Sequence, residues 1–368
     1  DVRVRGMTAT RTNSAPTLGR SVDWDVAASV GARLTRPAPP VTEYTRAQVI
    51  DELAAASRAA EPPVREVTRL HTEGPIPDAR IVDRPEWIGA AAQSMRAMMT
   101  GAVDDAESGS GAPHPIAAVT GKVAGAQTGA VLSFVSSGIL GQYDPFAVEG
   151  RGGELLLVYP NVIAVERQLR VSPSDFRLWV CLHEVTHRVQ FTANPWLAQH
   201  MSSTLAVLTS EAADDVGEVV ARLATFLKDR RKGEQGPNDS GILGFMRAVQ
   251  SEPQRRALDR LLVLGTLLEG HADHVMDAVG PAVVPSVESI RHRFDQRRGR
   301  KQPPLQRLLR ALLGVDAKLS QYTRGKAFVD AVVGRVGMNR FNAVWTGPDT
   351  LPLPDEIEDP PRWIDRVL

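Results

Sequence analysis

Apolar residues recur at helical spacing along most of the chain and at strand spacing almost nowhere. "WDVAASVGARL" (24–34) is an apolar island in a Pro-, Gly- and Thr-rich stretch spanning 1–40, and it predicts a short helix in an extended N-terminal arm. Residues 42–70 open with Thr42 as a cap and space their apolar side chains three and four apart, with Pro62 and Pro63 predicted to break the segment into two helices. Residues 83–103 predict a further helix with Pro85 near its start. "VAGAQTGAVLSFVSSGILG" (123–141) is the most lipid-like segment, but Gln127, Thr128 and several serines interrupt it, so it reads as a buried helix and not a membrane span. The spacing of Gly121, Gly125 and Gly129 suits close packing against a second helix.

"GELLLVYPNVIAV" (153–165) is the one convincing strand, rich in Leu and Val and ended by Pro160. A helix then starts at Ser172 as cap, with Pro173 in its first position and Asp175 in its first turn, and runs through "WVCLHEVTHRVQF" (179–191). Further helices are predicted at 203–229, 240–250, 253–279, 283–297, 304–312 and 316–335, with polar Gly/Pro-rich stretches at 107–115, 231–241 and 297–304 between elements. This pattern predicts a mainly α (α+β) fold with a small β-sheet. Three parts are expected: an N-terminal arm and helical region (1–106), a core (116–280), and a C-terminal helical cap with a Pro- and acid-rich tail (281–368).

Composition narrows the partners. The 43 basic and 43 acidic side chains cancel, so nothing favours a nucleic acid or an anionic membrane surface. The basic run 291–301 reads as a solvated helix end. Cys181 is the only cysteine, which excludes an intrachain disulfide framework, and a reducing cytoplasm is the expected home. The first residues lack the apolar core of a signal peptide.

The chemistry is concentrated in 179–191. On a helix, His183 and His187 differ by about 40° in azimuth and about 6 Å in rise, so both rings reach the same side and can grip one ion. Glu184 is displaced round the helix from that pair and is placed to reach a water on the metal. A chance H-E-x-x-H arises roughly once in a hundred chains of this composition, so the spacing needs its context. The context is a capped helix with Trp179, Leu182, Val185 and Val189 free to pack. The bland alternative is a structural histidine pair. A third ligand must come from elsewhere, because Ala193 occupies the position where a metzincin carries its third histidine. Two carboxylates compete, Glu211 and Glu269, each followed one turn later by an aspartate (Asp215, Asp273). Glu211 lies among charges that suggest a solvated face. Glu269 interrupts a leucine-rich helix, where an acid needs a strong positive partner, and is therefore favoured. Asp273 falls on the same face and is expected to orient a ligand histidine.

"DFRLWVCLHEVTHRVQF" with "LLEGHADHVMD", and upstream "GQYDPF" and "LLLVYPNVIAVERQL", resemble the zinc-dependent metalloprotease-like family known by the label coenzyme F420 biosynthesis-associated, a short gluzincin-type zincin. The similarity covers about 22–298. It implies a zincin-like helical metallopeptidase core, one Zn2+ per chain held by His183, His187 and Glu269, and Glu184 as catalytic acid/base. The function expected is a zinc metallopeptidase acting on a peptide or protein. The alternative is a catalytically silent zincin-fold binding or regulatory protein. Tyr143, Tyr159, His271 and His274 are candidate donors to the oxyanion. The strand at 154–159 is expected either to bind substrate as an edge strand or to lie inside the core.

Overall fold

The computed structural model describes residues 22–72, 74, 76–100, 115–147, 153–209, 251–299 and 315–368. The elements follow the apolar periodicity closely. Helix α1 (Trp24–Leu34) starts where Asp23 accepts a hydrogen bond from the Val26 amide at 3.0 Å. Helix α2 (Glu43–Thr68) starts at Thr42, whose hydroxyl accepts from the Thr45 amide. It does not break at Pro62 and Pro63, contrary to the sequence expectation: one helix runs through both. Each proline removes a backbone donor, but the turn around them is held from outside. Ala60 and Val64 are fully buried, and Glu61 accepts from Arg65 at 2.7 Å and from Arg188 at 2.6 Å.

A short strand β1 (Arg80–Val82) leads into α3 (Arg84–Thr100), and α4 (Pro115–Ser136) follows. Close approach of α1 and α4 depends on glycine: a Cβ at Gly125 or Gly129 would fall 2.3 or 2.4 Å from the Asp23 or Ala27 carbonyl oxygen. The expectation of a buried helix here is only partly met, since Val123 and Val131 are 54% and 44% exposed. Among the described residues no helix is long and apolar enough to cross a membrane.

Strands β2 (Gly141–Asp144) and β3 (Glu154–Val158) complete a three-stranded sheet in the order β1-β3-β2. β3 pairs parallel with β1 and antiparallel with β2, with Gly141 opposite Leu157 and Asp144 opposite Glu154. One expectation changes here and one alternative is decided. The strand predicted over 153–165 ends at Val158, and Tyr159–Leu169 is helix α5, because Pro160 serves as a helix-starting residue. β3 is the central strand, so the edges belong to β1 and β2. Leu155, Leu156, Leu157 and Val158 are all buried, as suits a strand covered on both faces.

The central element is α6 (Pro173–Ala193), with Phe176, Leu182, Val185 and Val189 fully buried against α2 and the helices that follow. Each such side chain contributes roughly 1.5–3 kcal/mol by leaving water. Arg177 anchors its first half, donating to Glu166 at 2.9 and 3.1 Å and to Glu52. Then come α7 (Trp196–Thr209), α8 (Glu252–Val279), α9 (Val287–Gly299) and α10 (Val315–Val336). Helices predicted at 240–250 and 304–312, and most of 203–229, lie outside the described residues. α8 starts at Ser251, whose amide and hydroxyl both donate to Gln254 Oε1, at 2.9 and 3.2 Å. The tail does not hang free: short turns over 338–350 and helix α11 (Pro360–Val367) bury Phe341, Trp345 and Trp363 against α10 and α8. The main hydrophobic core runs from Val49 to Trp363, and a smaller one joins α3, α4 and the sheet through Trp87, Ile88, Leu132 and Leu156.

Candidate metal centre

α6 and α8 cross so that three ligand-type side chains face one another. His183 and His187 lie one turn apart on α6, and their Nε2 atoms stand 3.2 Å from each other. Glu269, from the middle of α8, brings Oε2 to 3.4 Å from the His183 Nε2 and 3.9 Å from the His187 Nε2. Among the described residues this is the one group of three such side chains that could hold an ion. Glu211, the competing carboxylate, lies outside them.

The donor set can be tested for fit. Ligands at about 2.0–2.1 Å from a tetrahedral zinc stand about 3.3–3.4 Å from one another. Separations of 3.2, 3.4 and 3.9 Å match three corners of that figure, with the carboxylate slightly long. Two imidazoles and one carboxylate are also the chemistry of a catalytic zinc site with one open position.

The surroundings orient His187. Its Nδ1 donates to Gln190 Oε1 at 2.9 Å, which fixes the tautomer and leaves the Nε2 lone pair facing His183 and Glu269. Gln190 is itself fully buried, and its amide donates to the Leu268 carbonyl and to His271 Nδ1, both at 2.9 Å. Both of its polar atoms are thus used, and the chain of bonds reaches α8 one residue before Glu269. Sequence reasoning missed Gln190. The available signal was a polar side chain three residues after His187 in an otherwise apolar run.

The aspartate expected in that role behaves differently. Asp273 lines the cleft but makes no hydrogen bond to either ring among the described contacts; His183 Nδ1 instead meets Met276 Sδ at 3.3 Å. His271 and His274, expected as oxyanion donors, do not line the cleft. His271 is fully buried, stacked on Phe341 and edge-on to Trp345, and burial pushes its pKa down to about 3. His274 sits 2.6 Å from Asp330 on α10. Tyr159 likewise lies away from the cleft, beside Arg46. Tyr143 does line the cleft, packs on Phe191 with ring centroids 5.8 Å apart, and is pushed up to about 12 by burial.

Charge within the centre is strongly coupled. Burial disfavours charge on His183, but the hydrogen bond and charge of Glu269, with Glu184 and Asp273, outweigh it and push the ring up to about 9. For His187 burial prevails, and its pKa is lowered. Glu184 is 7% exposed; burial, opposed by His183 and reinforced by Glu269, pushes it up to about 7. A carboxyl group in that range can both take and return a proton near neutral pH.

These side chains open into a cleft of about 610 Å3. Its floor is α6 and α8. One wall is edge strand β2, whose Gly141 lies directly against Glu184. β2 is pinned on its other face: Gln142 accepts from the Trp87 indole at 3.0 Å, and Asp144 from the Ser94 hydroxyl at 2.7 Å and the Phe146 amide at 2.9 Å. Burial raises the pKa of Asp144. The rest of the lining is largely apolar, with Trp179, Met276 and Phe294 at one end and Phe191, Met95 and Met98 among the others.

Comparison with known proteins bears on the whole of this architecture. Residues 22–364 match the family model of zincin-like metallopeptidases. A solved structure from Chloroflexus aurantiacus, described as a candidate hydrolase with a novel fold, is 30% identical with a TM-score of 0.63, over 94% of this chain and 98% of that one. Among curated proteins no relative matches.

Proposed function

We propose a function for this chain from the premise that it belongs to the zincin-like metallopeptidase family: it hydrolyses peptide bonds in a polypeptide substrate, with His183, His187 and Glu269 as the ligands of one zinc ion and Glu184 as general base and acid. The observation that carries it is the convergence of two imidazole nitrogens and one carboxylate oxygen, all within 4.8 Å of one another, on the floor of a cleft that also receives Glu184.

Zinc held there supplies Lewis acidity and a water acidified toward neutral pH. The chain's own groups do the rest. Gln190 holds the His187 ring in the tautomer that offers Nε2 as ligand. Glu184 takes the proton from the attacking water and later returns it to the leaving nitrogen. The outer edge of β2 offers backbone groups to an extended peptide, which would lie across the cleft as an added strand. The apolar lining excludes water and favours apolar residues beside the scissile bond. Tyr143 is the one cleft residue of the four expected oxyanion donors; its raised pKa keeps the hydroxyl protonated, and that hydroxyl lies beside Gly153 at the margin of the cleft. An association with coenzyme F420 rests on sequence resemblance alone.

The test compares wild type with Glu184→Gln on a peptide library after zinc content has been shown to be equal. Turnover should fall by at least about 10²-fold, within the range contributed by a general acid–base group. Equal turnover would rule out this role for Glu184.

A further inference from the structure

A second cavity adjoins the cleft and carries the opposite chemistry. It measures about 320 Å3 and shares Tyr143, Pro145 and Phe191 with the cleft. Its charged wall is made by Glu61 and Arg65 of α2 and Arg188 of α6, with the Thr72 hydroxyl beside them. Glu61 receives Arg65 Nε at 2.7 Å and Arg188 Nη2 at 2.6 Å. Arg65 Nη2 also donates to Thr72, and Arg188 Nη1 donates to the Pro77 carbonyl at 3.0 Å.

Two guanidinium groups therefore share one carboxylate, which leaves one formal positive charge among the described residues of the wall. The Arg188 side chain is only 5% exposed. Arg188 and Glu61 tie α6 to α2; Arg65, one turn after Glu61 on α2, adds a second guanidinium on the same carboxylate beside the cavity. By contrast, none of the described residues lining the metal cleft is Lys or Arg.

Strand β2 connects the two spaces. Gly141 stands at Glu184, and two residues on, about 7 Å along the strand, Tyr143 forms the partition, with its ring on Phe191 and its hydroxyl beside Gly153. A peptide laid along β2 with its reacting carbonyl at Glu184 brings a group one or two residues away to the mouth of the second cavity. We propose that the cavity between Arg65 and Arg188 is an anion subsite of the cleft that takes a carboxylate of the bound peptide. That carboxylate comes from the peptide's C-terminus or from an Asp or Glu side chain, and guanidinium groups pair with it through charge-assisted hydrogen bonds. The proposal rests on the peptidase reading for its substrate, but not for its readout.

The experiment measures binding by calorimetry to the zinc-loaded Glu184→Gln chain, which removes turnover from the observation. Three matched peptides with apolar cores serve as probes: one with a free C-terminal acid, one amidated, and one amidated with an internal Glu. At least one carboxylate-bearing peptide should bind tenfold or more tightly than the neutral amide, and which one does identifies the source. Arg65→Gln, at a side chain 20% exposed, should abolish that preference, with Tm reporting whether the fold is kept; Thr72→Val should weaken it. Equal affinity for all three, no binding by any, or a preference that survives Arg65→Gln at unchanged Tm overturns the subsite. The peptidase reading is judged separately, by turnover of wild type against Glu184→Gln.

Discussion

Gly141 on strand β2 lies so close to Glu184 that a Cβ built on it would fall 2.6 Å from the glutamate Cγ and 2.9 Å from its Cδ. The edge of the sheet therefore sets the position of the proposed general base. Gly141→Ala forces Glu184 or the strand to give way without touching a proposed ligand. Zinc content should stay at the wild-type level while kcat falls about 10²-fold, the scale expected from misplacing a catalytic group by about 1 Å. Unchanged kcat, measured on the same peptide substrate, would show that the contact does not position the carboxylate.

Gln190 ties the proposed ligand His187 to the backbone of α8, through Leu268, and to His271. Gln190→Leu keeps the volume and removes every one of those bonds. Zinc affinity, measured by competition with a chromophoric chelator, should drop about 10–100-fold, and stability should fall by about 1–3 kcal/mol as the buried partners lose their hydrogen bonds. Wild-type affinity in this variant would contradict the orienting role.

The C-terminal helix is locked by charge. Glu356, 3% exposed, accepts from Arg366 at 2.7 and 2.8 Å and from the Leu353 amide at 2.8 Å. Burial opposes its charge, but these bonds outweigh it and hold the carboxyl below its usual value. The sign follows: the folded chain binds this proton less readily than the unfolded one, so the stability it contributes is present above the unfolded value of about 4.3 and is lost as pH falls through the folded value. Glu356→Gln should lower stability by about 1–3 kcal/mol at pH 7, and the difference from wild type should shrink as the pH is taken below about 4. A difference constant from pH 7 to pH 3, by denaturant titration, would contradict this.

Much of this was legible in the sequence, for identifiable reasons. The helical period puts His183 and His187 on one side of α6, and a leucine-rich surround marks Glu269 as an acid that needs a partner; the two helices do bring these three side chains together. Cys181 is fully buried, as its place on the far side of that helix suggests. What escaped was short or held by distant contacts. Strands β1 and β2 have three and four residues, too few to show alternation. Continuity of α2 across two prolines depends on Arg188, more than a hundred residues away. Asp273 was expected to orient a histidine because it shares a face with Glu269, yet Gln190, three residues after His187 on α6, makes a hydrogen bond to its ring. The Pro- and acid-rich composition of the tail gave no sign of where it packs, which is set by buried side chains including Phe341, Trp345, Leu351, Ile357 and Trp363.

The central claim is one divalent ion held between α6 and α8 by His183, His187 and Glu269. Its most direct test is zinc stoichiometry by elemental analysis of folded wild type and Glu269→Gln, each offered zinc and then dialysed against a weak chelator. One zinc per wild-type chain, and a loss of most of that zinc in the variant at unchanged helical content, is the predicted result. No stoichiometric zinc in the wild type, or equal retention in the two, would contradict it.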